Sequence, residues 1–473
     1  MALRTANIIG SGPNGLAAAI TLAQRGVAVT VYERNERIGG ACSSAEVTLP
    51  GFVHDLGASA FPLGVASPFL RTLPLEQHGL RWIHPELPVV HPLDEGEAAV
   101  QEPALDRMAE HLPAHDARAW RSLFATSVEH WQPLLGDVTG PLLRVPRHPL
   151  VTARFGLPAL LPARTLANAV FRGEQAKALF AGLAAHAVLP LTHLSSAAAG
   201  LLLGAAGHAT GWPIAAGGSQ SIADALAAHL RSLGGKIVCG VEVKQLDELP
   251  RADATFFDTS VEALIRIAGE ALAPGYVRRL RAYRQGPAVF KLDYALSAPI
   301  PWRNADCGRA ATVHLGGTLA EIAASEDAMF HGRLCERPFV LLVQPSLFDA
   351  SRAPAGKHTA WAYCHVPRGS NVDRTAVIEA QIERFAPGFR DCVLARCASG
   401  ASDLAQWNPN LAGGDISGGA MTLGQLLARP TLRSYSTSDP KLYLCSASTP
   451  PGGGVHGLCG HHAALAALHR LAR

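Results

Sequence analysis

The sequence feature that most constrains the fold is a glycine-rich turn that follows an apolar run near the amino terminus. Residues 6–9 are Ala-Asn-Ile-Ile, and residues 10–15 are Gly-Ser-Gly-Pro-Asn-Gly. Gly10 permits a tight turn, Gly12 lets the backbone approach a pyrophosphate, and Gly15 lets a following helix pack closely on the strand. The run and the turn therefore predict a strand that leads into a helix amino terminus, where backbone N–H groups bind phosphate.

The residues after this turn complete a βαβ unit. An Ala-rich helical pattern extends to Arg25, Gly26 ends it, and the apolar run 28–32 precedes Glu33. A carboxylate at the end of the second strand can accept hydrogen bonds from the ribose hydroxyls of an adenosine. The unit therefore predicts a dinucleotide site in residues 5–40.

The extension Arg37-Ile38-Gly39-Gly40 favours FAD over NAD as the dinucleotide. Two adjacent glycines allow a second close approach of the backbone to the pyrophosphate, and this extension resembles FAD proteins of the glutathione reductase and amine oxidase type. From this region we expect cofactor contacts from Gly10, Gly12, Pro13, Asn14, Gly15, Glu33, Arg34, Gly39, Gly40 and Ala41.

A second segment typical of such a site lies in the middle of the chain. Gly217-Gly218-Ser219 opens a helical pattern that Gly234-Gly235 ends, and the apolar strand 236–239 follows. Val243, just after this strand, is the residue that we expect to contact the adenine, while the helix itself is an ordinary packing element.

A third segment lies near the carboxyl end. The strand 441–445 is followed by a glycine-rich loop and by an Ala/Leu-rich helix to Arg473. The amino terminus of that helix would stabilise negative charge on a reduced flavin. No Asp follows the strand, so Ser446 or main-chain groups must hold the ribityl chain. From this segment we expect cofactor contacts from Ser446, Gly453, Gly454, Val455 and His456.

Length and composition indicate a two-domain enzyme. A chain of 473 residues exceeds what one hydrophobic core usually supports. Hydrophobic residues make up 48% of it and charged residues 17%, which excludes a disordered chain. The net charge of +3, without a long Lys/Arg block, gives no indication of a nucleic-acid partner.

The cysteines and the first residues indicate a reducing compartment. The nine cysteines are odd in number and scattered, which is typical of free thiols. Cys392 and Cys397 have the spacing of a redox disulfide, but they lie far from the first dinucleotide unit. Residues 1–5 lead directly into the first apolar run, so we expect no signal peptide and a cytoplasmic protein.

With these segments in place, the whole chain resembles the phytoene desaturase-like (carotenoid desaturase type) branch of the flavin amine oxidase superfamily. Within that branch it most resembles proteins of the pyridine nucleotide-disulfide oxidoreductase domain-containing protein 2 type, although it has no redox cysteine pair after its first unit. The resemblance rests on the motifs His54-Asp55-Leu-Gly57-Ala-Ser59, Gly211-Trp212-Pro213, Val313-His314-Leu-Gly316-Gly317, Pro354-Ala-Gly356-Lys357-His358, Ala386-Pro387-Gly388-Phe389 and Pro451-Gly-Gly-Gly-Val-His456-Gly457. It implies that a substrate reduces FAD and that oxygen or a quinone reoxidises it. No second glycine-rich dinucleotide motif lies between residues 100 and 300, so a tightly bound NAD(P)H is not expected.

Three stretches are candidates for contacts with an apolar substrate or a membrane. Residues 178–223 hold no Asp, Glu, Lys or Arg but are broken by Gly and Pro, so they predict a cavity wall or, alternatively, core helices. Trp361, Tyr363 and His365 share one face of a predicted strand, which could line the site or pack on a helix. Arginines interleaved with apolar residues are most often typical of ordinary solvated helices, with peripheral contact with a membrane surface as the alternative; they are Arg144, Arg147, Arg154, Arg164 and Arg172.

The favoured hypothesis for the reaction is desaturation or dehydrogenation of an apolar or polyene-like small molecule, with hydride transfer to flavin N5. Such a reaction needs alignment of the substrate and one base near the flavin. His456, in the last glycine loop, is the first candidate for the base, followed by Asp55 with His54, and then by His314. No metal ion is expected.

Three other hypotheses remain open. Oxidation of a C–N or C–O bond would use a lysine near the flavin, for which Lys291 and Lys357 are the candidates. A reduced-flavin isomerase or saturase, and a non-enzymatic flavin-binding interaction protein, are the others.

The predicted fold class is α/β. A Rossmann-type FAD domain of the glutathione reductase and amine oxidase kind is expected from residues 1–90, 208–285 and 415–473. An interleaved α+β substrate domain is expected from residues 91–207 and 286–414.

Overall fold

The computed structural model describes residues 3–471 and contains two main β-sheets with helices around them. The strands, in chain order, are β1 Thr5–Ile9, β2 Ala28–Tyr32, β3 Ser44–Ala45, β4 His54–Asp55, β5 Trp82–Ile83, β6 Leu87–Pro92, β7 Ala98–Gln101, β8 Ile214–Ala215, β9 Lys236–Val238, β10 Ala254–Phe257, β11 Ala288–Leu296, β12 Ala310–Leu315, β13 Val340–Val343, β14 His358–Val366, β15 Val393–Ser399 and β16 Leu442–Leu444.

The helices, in chain order, are α1 Pro13–Ala23, α2 Pro62–Ala66, α3 Ala114–Glu129, α4 Trp131–Val138, α5 Pro149–Ala159, α6 Ala163–Val170, α7 Glu174–Ala185, α8 Ala197–Ala209, α9 Gln220–Ser232, α10 Val261–Ala268, α11 Pro274–Arg281, α12 Leu319–Phe330, α13 Thr375–Phe385, α14 Phe389–Cys392, α15 Ala401–Trp407, α16 Leu423–Leu427 and α17 Leu458–Leu471. The predicted end of the last helix, Arg473, lies outside the described residues.

The first sheet is parallel throughout and has the strand order β16-β10-β1-β2-β9. Ile8, Val31 and Phe256 are buried in its centre, as expected of a parallel sheet that is covered on both faces. Helices α1, α9 and α17 cover one face, and α10 and α11 cover the other. This is a Rossmann-type layer arrangement, so the predicted fold class is confirmed.

Helix α1 begins and ends where the sequence predicts. Gly12 is the N-cap residue, Pro13 occupies the first turn, and Gly26 adopts a φ of 78° just after the helix. Gly15 is required by packing, because a Cβ built on it would lie 2.1 Å from the Gly10 carbonyl oxygen. The glycine turn thus sets the close contact between β1 and α1.

The second sheet has seven strands in the order β15-β11-β14-β13-β12-β6-β7. All neighbours are antiparallel except β6 and β12, which are parallel. One face packs against α13 through Leu292, Ile378 and Ile382. The other face turns towards the helices α3–α8, whose core includes Trp120 and Phe180.

The strands of the first sheet fall in the three segments predicted for the FAD domain, and most of those in the second sheet fall in the segments predicted for the substrate domain. The first predicted boundary is misplaced, because residue 90 lies inside β6 (Leu87–Pro92), which pairs with β12 in the second sheet.

Within residues 3–471, no helix combines the length and the apolar character needed to cross a membrane.

Candidate functional site

A cavity of about 720 Å³ lies where the carboxyl ends of the parallel strands meet the second sheet. Residues that follow β1, β2, β10 and β16 line one part of it, and residues from the second sheet and from α4–α8 line the other. Ligands bind at the carboxyl ends of parallel strands in doubly wound folds. The cavity therefore joins a dinucleotide-type cleft to a chamber in the second domain.

The cleft contains the glycine turn and the start of α1. The N-cap residue of this helix, Gly12, has no side chain, and Gly12, Pro13 and Asn14 line the cavity. A Cβ built on Gly40 would lie 3.1 Å from the Gly12 Cα, so the two glycine segments are in direct backbone contact. The buried Asn14 Oδ1 has no hydrogen-bond partner within residues 3–471. A cradle of bare backbone at a helix amino terminus fits an anionic phosphate group.

Glu33 is buried at the end of β2 and lines the same cleft. Its Oε2 accepts hydrogen bonds from the Ser11 N–H (3.0 Å) and the Ser11 hydroxyl (2.6 Å), and its Oε1 accepts from the Asn35 N–H (3.0 Å). The carboxylate therefore holds the glycine turn in place and keeps further lone pairs for a ligand.

Asp258 also belongs to this cleft, although sequence reasoning did not identify it. It follows β10, it is buried, and its Oδ2 accepts a hydrogen bond from the Gly15 N–H (2.8 Å). Burial, with a smaller contribution from Glu33, raises the pKa of this carboxyl to about 7, although the hydrogen bond from the Gly15 N–H acts to lower it. The signal was available, because an acidic residue directly follows the apolar run 254–257 next to β1.

The carboxyl-terminal loop forms the opposite wall of the cleft, between β16 and α17. His456 is buried there and lines the cavity. Its Nδ1 accepts a hydrogen bond from the Leu458 N–H (3.1 Å), so the proton of the neutral ring lies on Nε2, which has no partner in the described chain. Burial, with a contribution from His462, lowers the pKa of His456 to about 4. This ring presents a hydrogen-bond donor, which argues against the predicted role as the catalytic base.

Arg429 is a second residue that the sequence did not reveal. It is buried, lines the cavity and donates hydrogen bonds to the carbonyl oxygens of Ser417 (2.7 Å) and Ala447 (3.0 Å). It forms no ion pair with a carboxylate in the described part of the chain. A buried cation without a carboxylate partner is suited to an anionic ligand.

The structure brings most of the predicted cofactor residues together around one cavity. The predicted residues that line the cavity are Gly10, Gly12, Pro13, Asn14, Glu33, Arg34, Gly40, Ala41, Val243, Ser446, Gly453, Gly454, Val455 and His456. Gly15 and Gly39 stand behind the wall: Gly15 packs against the Gly10 carbonyl, and the Gly39 N–H donates to the Ser11 carbonyl (3.3 Å).

One face of the second sheet covers the chamber. The register pairs Lys291 of β11 with Tyr363 of β14, and the side chains of both line the cavity with Trp361. The Lys291 Nζ donates to the Asp293 Oδ2 (2.5 Å) and lies 5.7 Å from the centre of the Trp361 ring. His365 lies on the same face but pairs with Glu326 of α12 (2.9 Å). On this strand, therefore, Trp361 and Tyr363 line the site, whereas His365 packs on a helix.

A histidine pair stands at the wall of the chamber. His186 follows α7 and lines the cavity, and its Nε2 lies 3.0 Å from the Nε2 of His314 on β12. Burial lowers the pKa of His186 to about 3 and holds the pKa of His314 well below its usual range. His314 itself does not line the cavity and lies behind His186 and Trp212, which do. This placement argues against the catalytic role predicted for His314.

Asp55 lies in a buried polar network between the two sheets and does not line the cavity. Its Oδ1 accepts from the Ser44 hydroxyl and the Ser219 N–H (both 2.8 Å), and its Oδ2 accepts from the Ser59 hydroxyl (2.6 Å) and pairs with Arg352 (3.0 Å). Burial would raise its pKa, but Arg352 and these hydrogen bonds together lower it. The donors occupy the carboxylate, so this placement argues against the catalytic role predicted for Asp55.

His54, beside it, is also part of this buried network. Its Nε2 lies 2.7 Å from the Thr48 hydroxyl, and its pKa is lowered to about 3 by burial and then by Lys291 and Arg352. A neutral, hydrogen-bonded ring in this position links β4 to the loop before it rather than facing a substrate.

The chamber is predominantly apolar. The helical side is formed mainly by apolar and small residues of α5, α8 and the loop after α7, so the uncharged stretch 178–223 does line a cavity. Among the described residues that line the chamber from the second sheet and from α4–α8, none is Asp or Glu. The polar groups there are few: Ser195, Thr312, Tyr363, Lys291 and His186 are among them.

Taken together, this fold and this cavity define a two-domain oxidoreductase with a Rossmann-type dinucleotide-binding domain. Residues 8–73 match the family described as NAD(P)-binding Rossmann-like domain. The chain is 28% identical to pyridine nucleotide-disulfide oxidoreductase domain-containing protein 2 of Rattus norvegicus, over 97% of this chain and 92% of that protein. It is also 46% identical to 1-hydroxycarotenoid 3,4-desaturase of a Flavobacterium species, but over only 61 residues, 13% of this chain and 12% of that protein.

The solved structure of cyclohexylamine oxidase from Brevibacterium oxydans has a similar fold. The TM-score is 0.59 at 15% sequence identity, and the likeness covers 100% of both chains. At this identity the likeness shows the fold alone. The sequence relatives confirm the predicted resemblance to proteins of the pyridine nucleotide-disulfide oxidoreductase domain-containing protein 2 type and, over one segment, to a carotenoid desaturase.

Proposed function

We propose that this protein is an FAD-dependent dehydrogenase that oxidises an apolar small molecule by desaturation, with oxygen or a quinone as the final electron acceptor. The observation that carries the proposal is one cavity that joins a dinucleotide-type cleft to an apolar chamber, in which no described residue from the second sheet or from α4–α8 is Asp or Glu. Such a chamber favours a neutral, apolar substrate, because a buried charge without a partner is costly.

FAD fits the cleft better than NAD for two reasons. Gly39 and Gly40 add a second backbone approach to the first glycine turn, and the loop before α17 adds a second helix amino terminus on the opposite wall. In this assignment the turn at Gly12 holds the pyrophosphate, Glu33 holds the adenosine ribose, and Val243 contacts the adenine. Ser446, Gly453, Gly454 and the Nε2–H of His456 then face the flavin, and Arg429 supplies positive charge on that side.

When bound, FAD accepts the hydride that the substrate loses. The chain itself must exclude water, align the substrate and take up the proton lost from the neighbouring carbon. Trp361, Tyr363 and the apolar helices provide the first two. For the third we assign His186, because Lys291 donates to Asp293, whereas His186 is a neutral ring at the chamber wall with His314 at 3.0 Å behind it.

Oxidation of an amine is the second candidate. Lys291 with the aromatic pair Trp361 and Tyr363 favours it, since these three side chains line the cavity from the same face of the second sheet. The lack of a carboxylate among the described chamber residues speaks against it, because a substrate ammonium would have no counterion.

Anaerobic mixing of the FAD-loaded protein with detergent-dispersed polyenes and with aliphatic amines tests the proposal. We expect bleaching of the flavin band with an apolar substrate, and we expect His186→Gln to slow it while the bound FAD is retained. The matched control is His193→Gln, a half-buried histidine that does not line the cavity. Bleaching by amines alone, or equal rates for wild type and His186→Gln, would contradict this assignment.

A further inference from the structure

An unusual apolar patch surrounds one end of the chamber. Within residues 3–471, sixteen large hydrophobic side chains are exposed, and half of them lie in residues 142–161 or beside them. We define the apolar patch as Leu142, Leu143, Val145, Leu150, Leu157, Leu160, Leu161 and Leu194. Leu194 is distant in sequence but belongs to the patch, since the N–H of the next residue, Ser195, donates a hydrogen bond to the Leu160 carbonyl oxygen (3.0 Å). A concentration of this kind on one surface marks an interaction site.

Helix α5 shows that the patch is a helix face and not a set of isolated residues. Leu150, Ala153, Arg154 and Leu157 recur at helical spacing and are all exposed, with Leu150 at 82% and Leu157 at 70%. The opposite face, with Phe155 and Ala159, is buried against the chamber. The outward face of such a helix would be polar if only water covered it.

The exposed charges of the segment that carries the patch are all positive, and the nearest carboxylate, Asp137, is buried and accepts hydrogen bonds from the Arg147 and His148 N–H groups. Residues 138–173 contain five arginines and no Asp or Glu, whereas the whole chain carries only +3. The five arginines are exposed, and none forms an ion pair in the described part of the chain. An exposed apolar face bordered by unpaired arginines is complementary to an anionic lipid surface.

The patch is also continuous with the chamber. Leu142 and Leu160 are exposed at the surface and line the cavity as well. Phe155, Gly156 and Ala159 line the cavity from the inner side of the same segment. The patch therefore borders the opening through which an apolar molecule would reach the chamber.

From these observations we propose that the apolar patch rests on the surface of an anionic lipid bilayer and opens the chamber towards the lipid. Leucines of the patch enter the interfacial region, and Arg144, Arg147 and Arg154 contact lipid phosphates. The entry of substrate from the lipid rests on the proposed function, whereas the binding to a bilayer does not.

Sedimentation of the full-length protein with vesicles tests this contact. We expect binding to vesicles of phosphatidylcholine with phosphatidylglycerol and much weaker binding to phosphatidylcholine alone. Leu150→Asp with Leu157→Asp should lower the partition coefficient at least about tenfold. Arg147→Gln with Arg154→Gln should lower it about thirtyfold on the anionic vesicles only.

The controls use exposed residues of the same kinds away from the patch. Val372→Asp with Leu394→Asp (51% and 48% exposed) and Arg278→Gln with Arg281→Gln should bind vesicles like the wild type. Circular dichroism verifies that each variant is folded. No binding to either vesicle, or equal losses in the control variants, would overturn the proposal.

Two further measurements keep the outcomes separate. If the leucine variants change the oligomeric state in light scattering and the wild type ignores vesicles, the patch is an interface between copies of the chain and the proposal fails. Vesicle binding is measured with and without added FAD. A protein that binds vesicles but no FAD would contradict the proposed function and not the lipid contact.

Discussion

Replacing Glu33 with Gln should weaken FAD binding far more than its small change in shape suggests. The carboxylate receives three hydrogen bonds from the protein, at 2.6 to 3.0 Å, and still has lone pairs directed to the cleft. Gln keeps the volume but replaces one acceptor oxygen with an amide that can only donate. Either the glycine turn or the ribose then loses its acceptor.

The expected magnitude follows from the charge of the acceptor. A hydrogen bond to a charged group contributes about 1.5–3 kcal/mol, and about 1.4 kcal/mol corresponds to a tenfold change in Kd. If about 2–3 kcal/mol is lost from binding, the Kd for FAD rises about 30- to 150-fold. Titration of the apoprotein with FAD, followed by the quenching of flavin fluorescence, measures this directly.

Glu36→Gln is the matched control for this substitution. Glu36 is exposed three residues later and does not line the cavity, so this variant should bind FAD like the wild type. The reasoning is refuted if Glu33→Gln binds FAD as tightly as the wild type, or if both variants lose the same affinity.

Three further predictions concern the packing and the charges around the site. Gly15→Ala should lower the unfolding midpoint in denaturant, because the new Cβ would lie 2.1 Å from the Gly10 carbonyl oxygen, at a cost of about 1–3 kcal/mol or more. The control, Gly269→Ala, should leave the midpoint unchanged, because the nearest atom to its new Cβ is 3.7 Å away. Equal midpoints for the two variants would contradict the packing argument. Arg352→Leu should destabilise the protein by about 3–5 kcal/mol because it leaves the buried Asp55 charge without its partner, and a midpoint like that of the wild type would show that the pair is not structural. The pKa of Asp258 is about 7 in the folded protein and 3.8 in the unfolded chain. The stability that comes from this difference is therefore complete below pH 3.8 and is lost as the pH rises to about 7. The difference in stability between wild type and Asp258→Asn should change across that range, and a constant difference would contradict the raised pKa.

The sequence predicted the first domain well because its elements depend on local signals. The glycine turn, Pro13 at the helix start, Gly26 at its end and Glu33 after β2 are all local features of one βαβ unit. The structure has α1 and β2 where these signals indicate. The boundary near residue 90 failed because β6 pairs with β12, more than two hundred residues later, and no local signal reports that pairing.

The catalytic candidates were harder to predict because their roles depend on distant partners. His456 faces the cavity, but the Leu458 N–H fixes its tautomer. Asp55 is enclosed by Ser219 and Arg352, which lie far along the chain. His186 and Lys291 reach the chamber only because α7, β11 and β12 come together there.

The most direct test of the central claim is the absorption spectrum of the purified full-length protein, with the released cofactor identified by chromatography. The account predicts a yellow protein that releases stoichiometric FAD, or a colourless one that regains the flavin spectrum when FAD is added. A colourless protein that cannot be reconstituted with FAD, or one that binds NAD in its place, would contradict it.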